Sequence, residues 1–93
     1  MQSVMTIEED GDKVWRLNGK NHRTDGPARE CADGERFWCQ YGLTHRTDGP
    51  AIEFADGNVE FRLRGEYYTF DEWLEANTEI SEEEKVMMKL RYG

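Results

Sequence analysis

The sequence contains no run of even ten apolar residues, which leaves nothing to form a membrane span or the apolar region of a secretory leader. Its first ten residues are acidic rather than basic, so the expected location is a reducing cytoplasm. Cysteine is nearly absent. Cys31 and Cys39 are too few for a disulfide framework or a metal knuckle, and each is expected as a free, buried thiol. Cations are also short, with 12 Lys plus Arg against 20 Asp plus Glu and a net charge of -8. That deficit opposes direct nucleic-acid binding, which needs a basic face to neutralise phosphates. Gly-rich phosphate loops, nucleophile elbows and HExxH helices are missing, so no enzyme, cofactor or metal is expected. With 93 residues and 37% hydrophobic content, residues 1–93 read as one domain with a thin core and no deep cleft.

What is present is a period. Shifting the chain by 23 residues superposes Asp10-Gly11, Asp33-Gly34 and Asp56-Gly57, then Trp15, Trp38 and Phe61, then Gly19, Gly42 and Gly65, then His22, His45 and Tyr68. The heptapeptide from His22 to Ala28 recurs letter for letter from His45 to Ala51. Eight of the nine glycines and both prolines lie on this lattice, so the unusual residues serve repeat geometry.

Each Asp-Gly between short alternating runs signals a two-residue hairpin turn. In that register Phe54 faces Val59, Ile52 faces Phe61 and Pro50 faces Leu63, giving one apolar face. Glu53 opposite Glu60 marks the other as solvated. The preceding hairpin then pairs Cys31 with Arg36 and Arg29 with Trp38, the latter a cation–π contact. The first places Val4, Thr6, Trp15 and Leu17 on the same face. A turn one residue longer reverses this assignment. The segments Gly19–Gly26 and Gly42–Gly49, with glycine at both ends and an internal Asp-Gly-Pro, read as wide loops.

The expected fold is therefore mainly β: an antiparallel meander of about three 23-residue hairpins, six strands in all, over residues 1–68. A helical cap of two short helices follows over 69–93. Capping boxes at Thr69-Phe70-Asp71-Glu72 and Ser81-Glu82-Glu83-Glu84 open those helices. The second is expected to offer Val86, Met87 and Leu90 as its apolar side. The structural core is expected from Trp15, Trp38, Ile52, Phe54, Phe61, Leu63 and Trp73, with Trp73 covering Phe61.

This lattice resembles a divergent MORN-type repeat. More closely, His-Arg-Thr-Asp-Gly-Pro-Ala followed by Tyr67-Tyr68-Thr69-Phe70-Asp71-Glu72-Trp73-Leu74 is similar to small repeat proteins encoded by tailed bacteriophages. The resemblance covers residues 10–75 and implies a binding scaffold in the host-cell cytoplasm, directed at host machinery or immunity. It departs from ordinary MORN repeats in the Arg-Thr-Asp insertion and in its acidity, which opposes anionic lipid headgroups.

Three surfaces are candidates for contact. His22, Arg23, Asp25, His45, Arg46 and Asp48, with Tyr68 at the third lattice position, form a row that would meet a host protein or hold an anionic nucleotide signal as a sponge. Their bland reading is local: each Arg pairs with its Asp, and each His packs on the adjoining loop. Equivalent histidines lie two strands apart, roughly 10 Å, too far to share one metal ion. A second surface is the run Asp71, Glu72, Glu75, Glu79, Glu82, Glu83 and Glu84, either solvated helix faces or a phosphate-like mimic that blocks a host nucleic-acid enzyme. The third is the solvated sheet face, while the uncovered N-terminal edge strand with Val4, Met5 and Ile7 leaves room for a homodimer. The leading expectation is a noncatalytic module that inhibits or redirects a host protein.

Overall fold

The computed structural model describes residues 3–93; Met1 and Gln2, which open the span expected to form hairpins, lie outside the described residues. The chain is an antiparallel β meander followed by two C-terminal helices. In chain order the strands are β1 (Val4–Ile7), β2 (Lys13–Leu17), β3 (Lys20–Asn21), β4 (Arg29–Glu30), β5 (Arg36–Phe37), β6 (Cys39–Gln40), β7 (Leu43–Thr44), β8 (Ile52–Glu53), β9 (Val59–Leu63) and β10 (Glu66–Tyr68). The helices are α1 (Phe70–Ala76) and α2 (Glu82–Tyr92). The main sheet runs β1-β2-β4-β5-β8-β9-β10, with β3 also on β2, and β6-β7 form a separate ladder.

Among the described residues ten strands replace the expected six, because each unit turns twice. The Asp-Gly turns are three residues long. Glu8 donates its N–H to the Asp12 carbonyl and Gly11 donates back to Glu8, and Cys31/Glu35 and Phe54/Asn58 close in the same way. Gly11, Gly34 and Gly57 take φ of 92°, 102° and 93°, as the final residue of a bulged three-residue turn requires. Asp10, Asp33 and Asp56 each accept from the amide two residues on. The extra residue slips the two-residue register by one: Ile52 pairs with Glu60, Glu53 with Val59, Arg29 with Phe37, and Thr6 with Val14. The expected pairs Ile52–Phe61, Arg29–Trp38 and Thr6–Trp15 are thereby corrected.

The second turn stands at the start of the two segments read as wide loops, and recurs in the third unit where no loop was expected. Asn18-Gly19, Tyr41-Gly42 and Arg64-Gly65 have positive φ at both residues, and the three non-glycine members share a φ of 51°. That is the geometry of a two-residue hairpin matched to strand twist, and it aligns Leu17 with Lys20, Gln40 with Leu43 and Leu63 with Glu66. Successive units are tied side by side there: Gly42 donates to the Asn21 carbonyl and Gly65 to that of Thr44.

Both capping boxes form. Thr69 Oγ1 accepts from the Glu72 amide while Glu72 accepts from that of Thr69, and Ser81 and Glu84 repeat the exchange. The core sits at this end, where Phe61, Leu63, Trp73 and Leu74 are buried together and Tyr68, Phe70, Ile80, Met88 and Tyr92 pack around them. Trp73 covers Phe61 with ring centroids 4.8 Å apart. Of the expected core, Ile52, Phe61, Leu63 and Trp73 are buried, whereas Trp15, Trp38 and Phe54 are half-buried. Val14, Ala28, Ala51 and Leu74 are the buried apolar residues that were not expected; of the two thiols expected to be buried, Cys39 is buried and Cys31 is half-buried. The expected inward face of α2 is also corrected. Met88 and Tyr92 pack on the core, and Val86, Met87 and Leu90 face solvent. No helix among the described residues is long and apolar enough to cross a membrane.

Candidate functional site: the cleft beside the paired loops

The two His-Arg-Thr-Asp-Gly-Pro-Ala segments fold alike, and their side chains are engaged within the chain. Arg23 Nε donates to Asp25 Oδ1 at 2.9 Å and its Nη1 to the Pro27 carbonyl at 3.1 Å; Arg46 repeats this with Asp48 at 2.7 Å and Pro50 at 3.0 Å. Arg23 lies 3.9 Å over the Trp15 ring and Arg46 lies 4.0 Å over Trp38. These contacts replace the expected Arg29–Trp38 stack. Arg29, moved by the one-residue slip, pairs with Asp12 at 2.6 Å instead.

The loop glycines complete a sandwich. A Cβ at Gly26 would stand 2.9 Å from Arg23 Cζ, and one at Gly49 would stand 2.8 Å from Arg46 Cζ. Neither residue has positive φ, so glycine is demanded by the flat guanidinium lying on it rather than by the backbone angle. The indole, the guanidinium and the glycine form three layers.

Each histidine fastens the next unit. His22 Nδ1 accepts from the Tyr41 amide at 3.0 Å, and His45 Nδ1 accepts from the Arg64 amide at 2.9 Å. Those amides belong to the residues in left-handed conformation that open the following hairpin turns, so the imidazole stabilises a backbone that Tyr and Arg adopt at a cost. An accepting Nδ1 assigns the proton of the neutral ring to Nε2. Burial, and then the Arg64 charge, lower the His45 pKa below its ordinary value, against a smaller opposing pull from Glu79. His22 is buried, with its ring 4.4 Å from that of Tyr41. Tyr68, at the third lattice position, packs on the core and donates its hydroxyl to Glu66. Burial and Glu66 raise its pKa.

Arg23, Asp25, His45, Arg46 and Asp48 come together around a cleft of about 370 Å3 between the two loops. His22 and Tyr68 do not line it. An adjoining cleft of about 510 Å3 shares Gln40, His45 and Thr47 and adds Tyr41, Leu43, Arg64 and Glu79. Of these four, only Glu79 was singled out in the sequence. The signal for the others lay at the lattice positions beside Gly42 and Gly65, where Tyr41 stands in place of Asn18 and Leu43 in place of Lys20. Tyr41 is 65% exposed and Leu43 51%. Arg64 enters none of the ion pairs among the described residues. The pair of clefts therefore offers an apolar step, a cation and one imidazole N–H donor.

The acidic run is divided. Asp71, Glu72, Glu75 and Glu82 border a cleft between α1 and α2 together with Lys85 and Lys89. Glu72 and Glu84 are held in the capping boxes, and the Thr69 amide lowers the Glu72 pKa. Glu79 turns to the His45 cleft, and Glu83 is exposed. At the Asp33-Gly34 turn, Cys31, Asp33 and Glu35 bring three donor atoms within 4.8 Å of one another. Burial raises the Cys31 thiol pKa, against a smaller opposing pull from the neighbouring Arg29. Burial raises the Cys39 thiol as well.

No family model, curated protein or solved structure matches the chain.

Proposed function

We propose that this protein is a noncatalytic binding module, a phage-encoded accessory protein of divergent MORN type that engages a host protein in the host cytoplasm and inhibits or redirects it. The observation that carries the reading is the internal satisfaction of the paired loops. Arg23 and Arg46 each have an Asp, a carbonyl and an indole, so an anionic nucleotide must displace Asp25 and Asp48 before it gains a guanidinium. The sponge reading loses its cations by this argument. Next to the same loops stand exposed Tyr41 and Leu43 with Arg64, and a tyrosine beside an arginine is the composition of a protein-contact anchor. The interleaved Lys85 and Lys89 weaken the nucleic-acid mimic reading.

The test is affinity purification from host lysate with the wild type and with Tyr41→Ala/Leu43→Ala, alongside a thermal-shift screen with nucleotides. The reading expects a reproducible host protein with the wild type, its loss with a variant that still melts cooperatively, and no nucleotide-induced shift. A nucleotide that raised the melting temperature, or a partner retained by the double variant, would sink it.

A further inference from the structure

α2 carries two apolar stripes. At 3.6 residues per turn, Lys85, Met88 and Tyr92 share one side, and Met88 and Tyr92 are the residues that meet Phe61 and its neighbours. Val86, Met87 and Leu90 occupy the opposite side at spacings i, i+1 and i+4, with the exposed Glu83 one turn before them. Val86, Met87 and Leu90 are 56, 66 and 79% exposed, and no residue of α2 is fully buried.

The charges beside this row say what covers it. On one flank lie Glu82 near the start of the helix, 3.6 Å from Lys85, and Lys89 near its end, both at the rim of the cleft with α1; on the other lie Glu84, whose carboxylate also closes the capping box, and Arg91. In an antiparallel pair of identical helices each flank meets the same flank of its partner running the other way. Glu82 then faces Lys89 of the second copy, Lys89 faces Glu82, and Glu84 and Arg91 are matched likewise on the other side. The opposed helix dipoles add to the attraction. A parallel pair would instead set three glutamates against three glutamates.

We propose that α2 is the contact of a two-fold, antiparallel homodimer, with Val86, Met87 and Leu90 at its centre and the Glu82–Lys89 and Glu84–Arg91 pairs along its sides. The occupant of the row is a second copy of this chain, and the contact leaves the His45 cleft of each copy uncommitted. An 11-residue helix is about 16 Å long, so the interface is small and its dimer belongs to the weak end of specific association.

Sedimentation equilibrium of the full chain, followed up to about 1 mM, reads the association directly. The mass rises towards twice that of the chain. Leu90→Asp abolishes the rise with an unchanged thermal melt, since Leu90 is exposed in the monomer. Glu82→Lys weakens the dimer by about tenfold, because the two-fold places two lysines against two lysines. Adding Lys89→Glu to Glu82→Lys restores it towards the wild-type value, a rescue that parallel or edge-strand pairing does not provide. A wild-type chain that stays monomeric throughout overturns the proposal. So does a dimer that survives Leu90→Asp or is lost with Ile7→Lys on β1, and so does a double charge swap no better than the single one.

Discussion

The first two units and the third solve one problem in different ways. Trp15, Trp38 and Phe61 occupy equivalent positions on the same sheet face, and each needs a cover. Over the two tryptophans the cover is a guanidinium held flat by its own loop. Over Phe61 the loop is replaced by Thr69-Phe70-Asp71-Glu72-Trp73, a capped helix whose Trp73 is fully buried. The Arg lid keeps a polar, hydrogen-bonded rim that another unit can dock against: Arg46 and Thr47 offer their carbonyls to Trp73 Nε1 at 3.2 Å and Asn77 Nδ2 at 2.7 Å. The helix lid ends the series with apolar rings. A row of stacked hairpins thus carries its cluster of large buried rings at one end.

If the helix lid holds the core, Trp73→Ala should be the most damaging substitution. It removes an indole in contact with Phe61 and Phe70 and leaves the Arg46 carbonyl without its donor, at a cost of about 3–5 kcal/mol. Urea unfolding should show the loss, with near-ultraviolet dichroism of the aromatic cluster disappearing first. A midpoint shift smaller than that of Arg46→Ala would reverse the ranking of the two lids. Arg46→Ala should itself cost about 2 kcal/mol, since it deletes a cation–π contact, an ion pair to Asp48 and a bond to the Pro50 carbonyl. Arg23→Ala should cost less, because Arg46 also approaches Glu53 at 3.5 Å and its segment anchors the cap. Equal losses at the two sites would mean that the lids act independently of the helix.

The difference between the two lids was half legible in the residues. The lattice, the capping boxes and the cover of Phe61 by Trp73 follow from spacing, because a period and a cap are local signals. The Asp-Gly turns were visible, but their length was not: Asp-Gly fits a two-residue turn, and it equally fits a three-residue turn in which only the glycine has positive φ. That one residue moved Arg29 off Trp38 and gave the indole to Arg46, whose arrival depends on a loop folding back over the sheet. Asn18-Gly19 is a strong hairpin signal in its own right, yet Tyr41-Gly42 and Arg64-Gly65 conceal it, since a bulky residue in the left-handed region is held there by a histidine from the preceding unit. On α2 both stripes are apolar, so periodicity identifies a helix without saying which side is inward. The His45 cleft was partly legible: Arg46 and Asp48 lie on the repeated heptapeptide, whereas Tyr41 and Leu43 flank Gly42, where a loop was expected to begin and a tight turn forms instead.

The sandwich offers a sharper test of the Arg lid. Gly49→Ala should cost about 1–2 kcal/mol, because the added methyl lands 2.8 Å from Arg46 Cζ and must push the guanidinium off its glycine. In an Arg46→Ala background the same methyl meets nothing rigid, so the double variant should be no less stable than Arg46→Ala alone. This non-additivity is the point of the experiment. Equal costs of Gly49→Ala in both backgrounds would place the demand for glycine in the backbone and remove the three-layer account.

The smallest expected effect separates the two regions by pH. His45 is neutral in the fold, with its Nδ1 lone pair committed to the Arg64 amide, and its pKa lies below the ordinary value of 6.5. The unfolded chain therefore binds the proton more readily, and stability rises with pH through this range. It is fully present above the unfolded value and is lost as the pH falls from there towards the folded one. Tyr68, at the same lattice position in the capped unit, has its pKa raised and stays neutral throughout, so it contributes no slope there. Asp12 and Glu72, both lowered by backbone amides, lose their contributions only in more acidic solution. Urea midpoints between about pH 5 and 7.5 should fall on acidification, less steeply in His45→Asn, whose amide oxygen can take the place of Nδ1 without titrating. A proton NMR titration of His45 gives the sign independently: a midpoint above 6.5 would show that the ring gains an acidic partner on folding, and the clasp between units would then not depend on a neutral imidazole.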